Sequence, residues 1–186
     1  MLPNSCSHGI LLQRGVSMGC LLVSYSLTGH VQFLCEKIVS RLGCDWLPVA
    51  VKRPYPTQGF AKFYRGGRDA TFHWPVRLAT PLPDVSSFST LIIATPVWAS
   101  TVSTPIDSLL RKIDLSQKKV YLVISCSGGD TQRCKSRMLK LAKGCAYQGS
   151  FLSIDPKEES WDREGQLEAF CLAVEQGKVF EEEGKV

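Results

Sequence analysis

From Gly19 onward, apolar runs of strand length alternate with segments of helical period, and this alternation predicts an α/β chain wound on a parallel sheet. The first run, GCLLVSY from Gly19 to Tyr25, is continuously apolar, as a strand buried on both faces requires. Val31, Leu34, Cys35, Ile38, Val39 and Leu42 follow at helical spacing, and Gly43 supplies a natural stop. The second run, Asp45 to Val51, contains Pro48. Proline has no N–H to donate to a ladder, so this run belongs at a sheet edge. Thr90 to Thr95, Val120 to Ser125 and Ser150 to Ile154 supply three more strands. The helices after them carry the stripes Ile106, Leu109, Leu110, Ile113, then Cys134, Met138, Leu141, Ala142, Cys145, then Leu167, Phe170, Cys171, Val174. Residues 52–89 form a long insert rich in Pro, Gly, aromatics and Arg, in which Gly59 to Phe63 has helical character.

A doubly wound parallel sheet places its site at the carboxyl ends of the strands, where the winding reverses. The loops after the first, third and fourth strands are therefore the candidates. After the first strand, Ser24-Tyr-Ser-Leu-Thr-Gly-His-Val31 is rich in small and hydroxylic residues and runs into a helix start. Free amides and the helix dipole favour an anion there, with Ser26 and Thr28 as hydroxyl donors and Gly29 allowing close approach. The alternative role for Thr28 is a simple N-cap. After the third strand, Thr95-Pro-Val-Trp-Ala-Ser-Thr101 places Trp98 at the same end of the sheet, either as packing or as a wall for a flat conjugated ligand. After the fourth, Ser125-Cys-Ser-Gly-Gly-Asp130 offers open backbone amides through its glycines. A P-loop lysine and a G-x-G-x-x-G are both lacking, which disfavours nucleoside triphosphates and ordinary dinucleotides. No Ser/His/Asp set or carboxylate pair falls at the strand ends, so hydrolysis has little support.

With 186 residues, 44% hydrophobic and 21% charged, the chain suits one globular domain. The expected division is a leader or unused start over 1–17, a domain over 18–180 that includes the basic insert 52–89, and an acidic tail over 181–186. Eight cysteines without a C-x-x-C pair spell neither a zinc site nor a redox motif, and several fall on apolar helix faces. Reduced thiols, and with them a cytoplasmic location, are the simplest expectation. No apolar stretch is long enough for a bilayer, and no membrane partner is expected. The formal net charge of +5 falls short of a nucleic-acid footprint.

YSLTGH after the first strand, LIIATPVWAST through the third and VYLVISCSGG through the fourth resemble the flavodoxin family, over about Gly19 to Val174. The resemblance implies a single doubly wound five-stranded parallel sheet of order 2-1-3-4-5 with FMN at the switch point; flavodoxin is itself the standard example of that rule. It places the FMN phosphate on Ser26, Leu27, Thr28, Gly29, His30 and Val31. It places the isoalloxazine between Thr95, Pro96, Val97, Trp98 and Ala99 on one side and Ser125, Cys126, Ser127, Gly128 and Gly129 on the other. The family loop commonly reads S-x-T-G-N-T; here His30 and Val31 replace its last two residues, which removes one hydroxyl donor and about 1.5–3 kcal/mol of phosphate binding. His30 is either a phosphate contact or merely exposed, and Cys126 either redox-active or a small turn residue. His73 and Trp74 either reach the flavin or cluster locally with Phe72 and Tyr64.

Charge is unevenly spread. Residues 52–80 hold six basic residues against Asp69, whereas 155–186 hold ten acidic against four basic. The insert is thus a candidate docking face for an anionic partner or phosphorylated substrate. Family carriers usually present an acidic face around the flavin, so a basic insert departs from the pattern. Three functions follow: an FMN-binding redox protein passing electrons to a partner protein or small acceptor; an NAD(P)H-dependent flavin oxidoreductase of quinone-reductase type; and a flavin-free interaction module.

Overall fold

A computed structural model describes residues 19–128, 130–154 and 165–181. In chain order the elements are β1 (Cys20–Ser24), α1 (His30–Leu42), β2 (Asp45–Pro48), α2 (Gly59–Thr71), β3 (Thr90–Trp98), β4 (Thr101–Val102), α3 (Thr104–Leu110), β5 (Lys119–Cys126), α4 (Gln132–Leu141), β6 (Ala146–Ile154) and α5 (Gln166–Gln176). The parallel strands pair in the order β2-β1-β3-β5-β6. Counted among parallel strands alone, this is the expected 2-1-3-4-5. The expectation of five strands needs one correction, because β4 adds a sixth, antiparallel to β3 through Val97↔Val102 and Trp98↔Thr101.

Continuous apolar strands pay off in burial on both faces. Leu91 and Ile93 of β3, with Val120, Leu122 and Ile124 of β5, belong to one core cluster. Their neighbours Ile92, Ala94, Tyr121 and Val123 belong to the other. α1 and α5 cover the second cluster through Leu34, Cys35, Ile38, Phe170, Cys171 and Val174; α3 and α4 cover the first through Ile106, Leu109, Leu110, Cys134 and Met138. Gly43 ends α1 in the left-handed conformation, φ 60°, its N–H donating to the Val39 carbonyl at 2.8 Å. Pro48 is the last residue of β2, an edge strand. Pro96 lies within β3, where β1 has already stopped: Ser24 pairs Ala94, while Pro96 faces only Ser125 of β5. A strand with one neighbour tolerates a missing donor.

The insert is held by its own side chains. α2 extends well beyond Phe63, to Thr71. Asp69, buried, accepts from Tyr55 Oη at 3.1 Å and from Arg68 Nη2 at 2.7 Å. Arg65 lies over the Tyr55 ring, 4.9 Å from its centroid, and donates to the Pro54 carbonyl. Phe72 and Trp74 stack at 5.4 Å, with Arg68 over Trp74.

At the far edge of the sheet, the segment after α5 meets the start of β6. Phe180 N–H donates to the Gln148 carbonyl at 2.7 Å and bridges Gly149 in parallel. Gly149 has φ 129°, and a Cβ there would come within 2.2 Å of the Phe180 carbonyl oxygen. The position therefore admits glycine alone. The expected leader 1–17, Gly129 and the tail beyond Glu181 lie outside the described residues.

Candidate functional site

β1 delivers the chain into a tight loop before α1. Ser26 Oγ accepts the Gly29 N–H at 3.1 Å, and Gly29 takes φ 89° as the N-cap, without a capping side chain. The cap is thus Gly29 and not Thr28. Among the described residues the first helical amide with a carbonyl partner is Phe33, on Gly29 at 3.0 Å. The amides of His30, Val31 and Gln32 precede it at the helix start and face outward, where helix geometry supplies no acceptor. No acidic side chain occupies that first turn. Positive dipole, free amides and the Ser26 hydroxyl proton suit an oxyanion. The Val31 side chain is buried in the core, so this residue contributes only its backbone.

The loops after β1, β3 and β5 converge on one cleft of about 200 Å³. Leu27, Thr28 and His30 line it from the first loop, Pro96, Val97, Trp98 and Ala99 from the second, and Ser125, Cys126 and Ser127 from the third. Thr95 stands behind this surface, fully buried, its hydroxyl bonded to Ser103 Oγ at 2.9 Å and to the Ser103 N–H. That contact fixes the base of the Trp98 loop. Gly128 lies in the third loop with φ 114° and does not line the cleft.

Trp98 is anchored as well as presented. Tyr25 and Tyr55 meet it edge-on, with centroids at 5.6 and 4.8 Å. Burial pushes the Tyr25 phenol above its ordinary range and the Tyr55 phenol up to about 12. α2 lies against the indole through Gly66, where a Cβ would stand 3.4 Å from Trp98 Cε3. Gly66 and Gly67 also line the cleft. Sequence reasoning missed both, since adjacent glycines read as a helix end rather than as a helix surface shaped for close approach.

Past Trp98 the chain reverses on Ala99 and Ser100, both at positive φ (48° and 61°), and enters β4. This two-residue turn has the signature of type I′ without its usual Asn-Gly. Ala99 also borders a second cavity of about 430 Å³, lined by α4 and by His73 just past the end of α2. Beneath it Asp107, 2% exposed, binds Arg137 Nε at 2.7 Å and Arg111 Nε, with His73 Nδ1 at 3.8 Å. Burial first, then the Arg137 charge, holds the His73 imidazole below its ordinary pKa. Among the described residues no three metal-ligating side chains gather, the seven cysteines are free thiols, and no helix is long and apolar enough to cross a membrane.

No family model and no curated protein matches the chain. Solved structures do. A protein of Bacteroides eggerthii DSM 20697 classed as a flavoprotein superposes with a TM-score of 0.67 at 15% identity, covering 84% of this chain and 97% of its own. A flavoprotein of Lactobacillus acidophilus NCFM, solved in complex with FMN, gives 0.62 at 21% identity, covering 77% and 97%. Oxidised flavodoxin 1 of Bacillus cereus gives 0.55 at 12%, covering 84% and 97%. With strand order, helix placement and these superpositions in agreement, the chain has the flavodoxin-like fold.

Proposed function

We propose that the protein binds FMN and works as a flavin-dependent redox protein. The observation that carries this reading is the convergence of three strand-end loops on one cleft, with an uncapped α1 terminus beside it and an aromatic wall within it. The first feature suits a phosphate and the second a flat ring. In this assignment the amides of residues 30–32 and the Ser26 hydroxyl hold the phosphate. Trp98 and the chain 125–127 flank the isoalloxazine, and Gly66 and Gly67 let α2 close over it. Bound flavin supplies the electron transfer, and the surrounding dipoles and rings set its potential.

Titrating FMN with the purified protein tests the assignment. Flavin fluorescence should fall to a stoichiometric end point. A protein that leaves it unchanged and stays colourless refutes the reading. Trp98→Ala should weaken FMN binding at least tenfold. The same substitution vacates the contacts with Tyr25 and Tyr55, so the melting temperature of the flavin-free variant is measured alongside.

A second reading, a reductase oxidising a reduced nicotinamide, is favoured by the larger cavity that shares Ala99 with the cleft. Anaerobic addition of reduced nicotinamide separates the two. Bleaching of the flavin without a partner protein supports the reductase, and a spectrum that stays unchanged supports the carrier.

A further inference from the structure

Next to the cleft, α4 presents a face of positive charge. Residues 132–143 contain Arg133, Lys135, Arg137, Lys140 and Lys143 and no acidic residue. Arg133, Arg137 and Lys140 recur at helical spacing, one face of α4, while Cys134 and Met138 turn into the core. Like charges one turn apart repel each other, so this face is unfavourable for the helix alone. It lines the 430 Å³ groove, whose wall includes no carboxylate.

The groove is built rather than incidental. Arg137 is oriented by its Nε on buried Asp107, which leaves its terminal guanidinium nitrogens without a hydrogen bond among the described residues. Arg133 and Lys140 make no hydrogen bond or ion pair among those residues. Opposite α4, His73 adopts φ 51°, and its carbonyl accepts from Arg111 Nη2 at 3.3 Å. A non-glycine residue held in that conformation marks a rim fixed by its surroundings. By contrast, Arg65 and Arg68 of the insert are engaged with its backbone, Asp69 and aromatic rings.

We propose that this groove is a phosphate subsite. It holds the phosphate or diphosphate of the small molecule that meets the flavin, the rest of which reaches past Ala99 into the cleft. Three cations, with the Ser136 hydroxyl and Gln132 amide among them, exceed what a single carboxylate needs, and guanidinium forks match phosphate oxygens in pairs. The description of the ligand rests on the flavin reading; phosphate binding itself does not.

The test is an amide-resolved NMR titration of the full chain with inorganic pyrophosphate, run without flavin and again after FMN addition. Saturable shifts are expected at residues 132–140 and 71–73 in both runs. Arg133→Glu with Lys140→Glu, both exposed positions, should weaken pyrophosphate at least tenfold and leave the melting temperature and FMN titration unchanged. Shifts confined to residues 26–31, or equal affinity in the double variant, overturn the proposal. FMN binding with a groove silent to pyrophosphate overturns the subsite alone. A groove that saturates in a chain refusing FMN leaves the subsite standing and removes the flavin reading.

Discussion

At the scale of single residues, the site is shaped as much by missing side chains as by present ones. Gly66 and Gly67 lie inside α2, where each glycine costs a helix about 1 kcal/mol relative to alanine. A Cβ on Gly66 would make ordinary contact with the indole of Trp98, 3.4 Å from its Cε3. A Cβ on Gly67 would meet nothing within 4 Å, yet the residue borders the cleft. Gly67→Ala should therefore raise the stability of the flavin-free protein by about 0.5–1 kcal/mol and lower its FMN affinity. Urea unfolding and an FMN titration of the same variant read the two effects. Higher stability with unchanged affinity would mean that the ligand does not approach α2 there. Residue identities in the strand-end loops were legible from the sequence because small, hydroxylic and aromatic residues cluster there. The role of Thr95 was not, since the side chain that its hydroxyl bonds, Ser103, is eight positions away and joins it only through the β3–β4 reversal.

At the scale of elements, periodicity served where one face of a helix is buried and failed where it is not. Of the stripe Val31, Leu34, Cys35, Ile38, Val39 and Leu42, all are buried except Val39, which is half-buried against the same core. α2 was legible only over Gly59 to Phe63, since its glycine pair and outward aromatics, such as Tyr64 at 59% exposure, break the pattern. The β3–β4 hairpin was illegible for a related reason: its turn, Ala99-Ser100, carries none of the residues that normally announce one. An L-residue in the left-handed region costs roughly 1–2 kcal/mol. Ser100→Gly should accordingly stabilise the protein by about 1 kcal/mol, seen as a rise in the urea midpoint. A fall would show that Ser100 makes a contact worth more than the strain.

At the scale of the whole molecule, the two cores were legible from strand runs apolar on both faces, and the placement of charge was not. A sum over sequence windows assigns the basic character to the insert; folding ties its Arg65 and Arg68 down, leaves its Lys52, Arg53 and Arg77 exposed, and adds a cationic face on α4 that the sum does not single out. Both cores also bury titratable thiols. Burial pushes Cys35, Cys134 and Cys171 from 9.0 up to about 12. A raised folded-state value means that the unfolded chain ionises first. The stability these thiols provide is thus complete below pH 9 and is lost as pH rises towards 12, at about 1.4 kcal/mol per pH unit for each. Urea unfolding at pH 8, 9.5 and 10.5 should show a progressively lower midpoint; a constant one would contradict the burial of these groups.

The contact between Phe180 and Gly149 gives the fold a direction in time. β6 emerges from the ribosome well before its outer neighbour, since the residue that pairs with it lies 31 positions further on. Until then its open hydrogen-bonding groups can template association with another nascent chain. A shortened product ending before Phe180 would leave residues 148 and 149 open as well, lengthening the free edge along which another chain can pair.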